Sequence, residues 1–148
     1  MDVHVIAVPY DAGRRGWRMG QGPRALLDAG LACALGSDTH VETVDAGEQV
    51  PDVTALFALA REVATRVSVA MDEGRFPLVL AGNCGATLGT LAALPSERTS
   101  VVWFDAHADF HTPETTTSGF VDGTALATMT GRCWRSLAAS LPGFRSVP

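Results

Sequence analysis

Asp105, His107, Asp109 and His111 stand at every second position, directly after the apolar run Val101-Val102-Trp103-Phe104. In an extended segment successive side chains point to opposite faces, so the four ligand-capable groups would share one side while Ala106, Ala108 and Phe110 take the other. Carboxylate with imidazole is a mixed hard and borderline donor set, suited to Mn²⁺, Zn²⁺, Fe²⁺ or Ni²⁺ rather than to a thiolate-seeking ion. Two carboxylates able to bridge would also hold a pair of ions close enough to activate one shared water for hydrolysis. The plainer alternative, in which Asp105 caps a helix, His107 packs and Asp109 faces solvent, accounts for one residue and leaves the alternation without a reason.

A cluster of this kind needs a strand end to hold it, and the chain supplies the right kind of pattern. β-like and α-like segments alternate, as in a parallel sheet covered by helices. Residues 4–8 read as a first strand ended by Pro9, and Gly13, Gly16, Gly20 and Gly22 make the next stretch a loop. Pro23 sits where a first helical turn tolerates it, and helical spacing follows from Arg24 to Leu31. Residues 41–44 read as a short strand. Leu56, Leu59, Ala60, Val63, Val67 and Met71 predict a helix over 53–72, with Gly74 as its stop. Residues 78–81 are a continuous apolar strand, 87–94 a crossover helix and 101–104 the next strand. Ligands in such sheets collect outside the carboxyl ends of the strands. Gly82-Asn83-Cys84-Gly85 and the Asp105 cluster are therefore expected at one rim. Between Thr112 and Gly123 the sequence is polar, a loop able to hold polar substrate groups. From 124 to 141 helical spacing returns, interrupted by Gly131.

Composition narrows the function classes. The 148 residues are 47% apolar, enough for one domain with a sizeable core. Sixteen acidic against eleven basic residues, a formal charge of −5 and no basic run argue against nucleic acid or an anionic membrane as partner. The N-terminal residues lack the basic start of a signal peptide, and no apolar stretch approaches spanning length, so the expected location is cytoplasmic. Cys33, Cys84 and Cys133 form no C-x-x-C pair, which disfavours a disulfide framework. Cys33 and Cys133 read as core filler. Trp17, Trp103 and Trp134 read as core or interface aromatics. Arg14, Arg15 and Arg18 read as solvated, or as contacts to an acidic group or a neighbouring subunit.

Asp105-Ala106-His107-Ala108-Asp109 resembles the metal-binding segment of the ureohydrolase family, which includes arginases, agmatinases and formimidoylglutamases. The match extends outward. The run from Gly20-Gln21-Gly22-Pro23 to Leu31 resembles an early glycine-proline-leucine segment, and Leu80-Ala81-Gly82-Asn83-Cys84-Gly85 falls where the family carries Gly-Gly-Asp-His-Ser. Thr112-Pro113 with Thr115-Thr116-Thr117-Ser118-Gly119 is similar to the loop that follows the metal strand in arginases proper. The resemblance implies a three-layer αβα fold with a mostly parallel sheet, apparently truncated. It also implies two Mn²⁺ ions activating a bridging hydroxide that attacks a guanidinium carbon and releases urea. Asp105 would bridge both ions, His107 would bind one and Asp109 the other. His111 and Ser118 stand where arginases contact the substrate's α-carboxylate. Related proteins are usually oligomers.

Three departures accompany the match. Cys84 stands where the family's first metal ligand is a histidine, with Asn83 replacing the preceding aspartate; a thiolate favours Zn²⁺ or Fe²⁺ over Mn²⁺. Asp122 occupies the place of a histidine proton shuttle, and the same role near neutral pH would need a raised carboxyl pKa. Alternatively Asp122 grips a cationic group. Last, the family's later Asp-x-Asp motif and its guanidinium-binding glutamate have no counterpart, because no carboxylate follows Asp122. The chain thus resembles the N-terminal portion of a ureohydrolase. Two readings follow. One is a hydrolase of C–N bonds in a small cationic guanidino or amidino compound, inactive as this isolated chain and completed by a homo-oligomer or a complementary C-terminal chain. The other is a non-catalytic module that binds or regulates a full-length relative. A metallophosphoesterase would place its D-x-H before a G-N motif, the reverse of the order here.

Overall fold

In the computed structural model, which describes residues 2–47, 52–95 and 99–147, the sheet among those residues has three parallel strands. β1 (Val3–Val8) lies between β4 (His40–Thr43) and β5 (Phe76–Ala81). Every residue of β1 is buried. That fits its continuous apolar sequence, since a parallel strand covered on both faces has no solvent side to alternate with. Two short strands, β2 (Tyr10–Asp11) and β3 (Arg14–Arg15), pair antiparallel inside the glycine-rich loop. Next comes α1 (Gly22–Asp28), with Pro23 in its first turn.

The long helix α3 (Val53–Asp72) falls where its periodicity predicts. Asp52 caps it by accepting from Thr54 N at 2.7 Å and Ala55 N at 3.2 Å, and Gly74 ends it at φ +70°. Its buried stripe covers one sheet face, where Val63 and Val67 pack with Ile6 and Val8. The opposite face, carrying Ala7, looks toward Pro23 and Leu27 of α1. Helices therefore lie on both sides of the sheet, as the αβα expectation requires.

On the outer side of α3 runs α4 (Thr87–Ala93), whose Leu88 and Leu91 join Leu56, Ala60 and Met129 in a second apolar cluster. The two helices approach closely at Gly89, where a Cβ would overlap the Ala60 carbonyl oxygen and come within 2.8 Å of Val63 Cβ.

Several expectations need correction. Residues 101–104 form no ladder with any strand among the described residues, and Val102 and Phe104 are 75% and 94% exposed. Among the described residues β5 pairs with β1 alone, so its other edge has no ladder partner there. The helical run to Leu31 is broken by Gly30 at φ +93°, which separates α1 from the short α2 (Leu31–Leu35). That break leaves Cys33 exposed rather than in the core, whereas Cys133 is buried as expected. Beyond residue 124 the interruption expected at Gly131 is present, between α5 (Ala125–Met129) and α6 (Arg135–Ala138). Trp17 is 38% exposed, with the Arg14 and Arg18 guanidinium groups 4.8 and 4.9 Å from its ring centroid, while Arg15 pairs with Asp45.

Candidate metal centre

β5 ends at Ala81, and Gly82-Asn83 lead into a 3-10 turn, Cys84–Ala86, that feeds α4. This turn puts the Cys84 thiol at the carboxyl end of the strand. It donates toward Asp105 Oδ2 across 3.8 Å. One ligand atom from each of Cys84, Asp105 and Asp109 lies within 4.8 Å of the others.

Asp109 is held in an unusual way. Its backbone sits at φ +46°, a left-handed conformation that aspartate tolerates better than most side chains. Its carbonyl accepts from Leu126 N at 2.9 Å and Ala127 N at 3.3 Å, so the free N–H groups at the start of α5 anchor it. Only 9% of the residue is exposed, and Oδ2 has no hydrogen-bond partner among the described residues. A buried carboxylate oxygen without a donor is costly, and a cation is one way to satisfy it.

His107 does not join this set. Asp105 Oδ1 accepts from His107 N at 2.7 Å, closing a turn that ends the extension, and the imidazole is 84% exposed with Nδ1 3.2 Å from Asp105 Oδ1. The strict alternation expected over 105–111 therefore fails, because a turn at Asp105 and a left-handed residue at Asp109 replace extended backbone. His111 and Ser118 lie with His107 and Asp109 along a neighbouring groove of about 590 Å³, lined also by Thr116 and Phe120.

Asp122 lies behind the thiol. Its Oδ1 accepts from Gly85 N at 3.0 Å, and a Cβ at Gly85 would come within 2.7 Å of that oxygen, so glycine lets the turn close on the carboxylate. The residue is 7% exposed and borders a small cavity of about 110 Å³ shared with Tyr10, Leu56 and Asn83. Burial, with the charges of Asp11 and Asp109 adding to it, pushes the Asp122 carboxyl up to about 6 against the Gly85 hydrogen bond. The same burial, with the facing carboxylates, pushes the Cys84 thiol up to about 12. Asp105 moves the other way, held low first by the His107 backbone N–H.

Two participants escaped the sequence reading. Asp11 is buried, accepts from Met19 N at 3.3 Å and from Asn83 Nδ2 at 3.4 Å, and adds to the field on Asp122. Asn83 Oδ1 accepts from Ala12 N at 2.8 Å, so the residue ties the glycine-rich loop to the end of β5. The signal for Asp11 was its position just past the first strand, at the rim that carries the other ligands.

The raised Asp122 pKa has a measurable consequence. A carboxyl whose folded pKa lies near 6 against about 3.9 unfolded makes folding less favourable as pH rises through that window, with a constant penalty above it. Two pKa units correspond to about 3 kcal/mol. Asp122→Asn keeps an oxygen for the Gly85 N–H and should gain stability of about that size at pH 8 and almost none at pH 4. Melting curves of both proteins at the two pH values check this. A pH-independent difference would assign the effect to packing.

Compared with known proteins, residues 1–147 match the arginase family. The chain belongs to that family. An arginase of Bacillus caldovelox is 32% identical over 87% of this chain and 48% of its own length, and an arginase of Bacillus subtilis (strain 168) is 31% identical over 96% and 52%. Among solved structures, Bacillus subtilis arginase superposes with a TM-score of 0.85 at 28% identity, covering 99% of this chain and 53% of that one. Entamoeba histolytica arginase in complex with L-ornithine gives 0.84 at 25% identity, covering 98% and 54%. This arginase-family chain therefore spans about half the length of the relatives it matches, and its fold is the corresponding part of theirs. No helix among its described residues is long and apolar enough to cross a membrane.

Proposed function

We propose that the protein to which this arginase-family chain contributes is a cytoplasmic metal-dependent hydrolase of C–N bonds in a small guanidino or amidino compound, and that this chain alone turns over little substrate. The observation that carries the reading is the convergence of Cys84, Asp105 and the buried Asp109, whose Oδ2 has no hydrogen-bond partner among the described residues, at one strand rim. These residues fit a divalent ion, with His107 available to a second one only after its exposed ring turns inward. When bound, such ions supply Lewis-acid polarisation and a nucleophilic water at neutral pH. In the family that ion is Mn²⁺.

The chain's own residues account for the rest of the reading. Asp11, Asp105, Asp109 and Asp122 concentrate negative charge, and among the described residues none of them pairs with an arginine, so the rim attracts a cationic substrate. With its carboxyl raised to about 6 and Oδ1 committed to Gly85, Asp122 is ionised at neutral pH but close enough to its titration range for Oδ2 to take up a proton and pass it to a departing amine. His111 and Ser118 line the groove beside Asp109 and would hold the polar tail of the substrate. Completion of the site by further polypeptide, as a complementary C-terminal chain or within a homo-oligomer, is supported by the β5 edge that has no ladder partner among the described residues and by the coverage of only half of each relative.

The outward His107 and the thiol at position 84 favour a second reading, a non-catalytic module that associates with a full-length relative. Urea release decides between them. The chain, alone and combined with the C-terminal half of a relative, would be assayed with guanidino substrates under added Mn²⁺. Turnover that appears only in the combination and disappears with Asp105→Asn supports the hydrolase; metal uptake without turnover in either supports the module.

A further inference from the structure

The donor set at the rim differs from an all-oxygen-and-nitrogen site in one atom, the Cys84 sulfur. Sulfur and Asp105 Oδ2 are 3.8 Å apart. Two donors at about 2.3 and 2.1 Å from one ion can be separated by at most about 4.4 Å, so these two can share a cation of zinc type without moving. The third donor, Asp109, is the buried one whose Oδ2 has no other partner among the described residues. Its backbone is pinned by α5, so the carboxylate is delivered to the rim rather than free to swing away. As the sulfur–metal bond forms the thiol proton is released to solvent, and the resulting thiolate with two carboxylates is a borderline-soft set. Sulfur donors select Zn²⁺, Fe²⁺ or Co²⁺, while Mn²⁺ prefers oxygen and nitrogen.

We propose that the ion seated by Cys84, Asp105 and Asp109 is ligated by the Cys84 thiolate, and that this ligand shifts the site from Mn²⁺ toward a thiophilic divalent cation of the Zn²⁺, Fe²⁺ and Co²⁺ class. The inference rests on the metal-site part of the function proposed above and departs from its manganese. It assigns Cys84, a half-buried free thiol, as a ligand. Asp105 and Asp109 supply charge, and the sulfur decides which ion stays.

The order of divalent affinities already favours Zn²⁺ over Mn²⁺ at almost any protein site, so a bare preference proves nothing. The test therefore reads the sulfur itself. Co²⁺ is titrated into the whole chain carrying Cys33→Ser, which removes the exposed competing thiol, and the near-ultraviolet thiolate-to-cobalt charge-transfer band is followed. The expected result is one saturable band that Zn²⁺ displaces at low excess and Mn²⁺ does not. Cys84→Ser should remove the band and lower the Zn²⁺-over-Mn²⁺ affinity ratio by about tenfold or more, a loss of the size that even outer-shell changes bring. Asp109→Asn should abolish binding with its folded circular dichroism retained.

Absence of cobalt binding, binding without the band, or a band that survives Cys84→Ser would each overturn the proposal. The hydrolase reading fails separately. Mn²⁺-dependent turnover, in the combination with a relative's C-terminal half, untouched by Cys84→Ser would uphold that reading and sink this one, and a thiolate-bound ion without turnover even in that combination would do the reverse.

Discussion

Asp109→Asn should bind divalent metal at least about 100-fold more weakly than the parent while melting a few degrees higher when metal-free. The two effects have one cause. Asp109 is 9% exposed, its Oδ2 has no partner among the described residues, and Cys84 and Asp105 face it within 4.8 Å. Without an ion this is a buried carboxyl facing a second carboxylate and a thiol, with an oxygen that no donor satisfies. Asparagine accepts the same left-handed backbone, φ +46°, and its amide can donate to Asp105. The gain should be about 1 kcal/mol, or some 2–4 °C for a domain of this size. Isothermal titration with Zn²⁺ and a metal-free melting curve measure both. A variant that loses stability without metal would mean that Asp109 is a structural carboxylate whose partner lies elsewhere, and the metal centre would lose its anchor.

Gly89→Ala should cost about 3 kcal/mol, a large stability loss for a single methyl group. Alanine in place of glycine inside an exposed helix normally stabilises by about 1 kcal/mol. Here the sign reverses, because the added Cβ would overlap the Ala60 carbonyl oxygen and approach Val63 Cβ to 2.8 Å. Both obstacles belong to α3, a well-packed helix whose backbone cannot yield locally, so α4 must move away and open the cluster around Leu88 and Leu91. Since Cys84 leads directly into α4, the shift would also displace the thiol. Urea denaturation checks the claim, with Gly123→Ala as control, since a Cβ there meets nothing within 4 Å. An unchanged denaturation midpoint in Gly89→Ala would show that the two helices are not held together at this crossing.

Much of the fold was legible in local patterning. The helix over 53–72 has an apolar stripe that repeats with the helical turn, a capping aspartate before it and a glycine after it, and all three are properties of neighbouring residues. The strands around residues 4–8 and 78–81 were readable for the same reason: their apolar runs are too short for a helix and are bounded by turn residues. Where the reading failed, a distant contact decided. Residues 101–104 have strand composition, yet a ladder needs a partner edge, and among the described residues none reaches them. Cys33 has helical, apolar neighbours, but the φ of Gly30 turns its short helix outward.

The candidate site divides along the same line. The residue types alone pointed to a cluster of ligand-type side chains just past an apolar run, and with the flanking motifs they pointed to the arginase family, to which the chain belongs. Which donors meet was decided by the tertiary structure. The period-of-two rule that grouped Asp105, His107 and Asp109 holds only for extended backbone. An Asp105 turn sends His107 to solvent, the N–H groups that open α5 hold Asp109 in a left-handed bend, and the turn after β5 brings Cys84 against both carboxylates. Likewise, the change from histidine to Asp122 was visible in the sequence. Its carboxyl stands near 6 because the fold buries it between Gly85, Asp11 and Asp109, an environment assembled from four separate segments that no local pattern encodes.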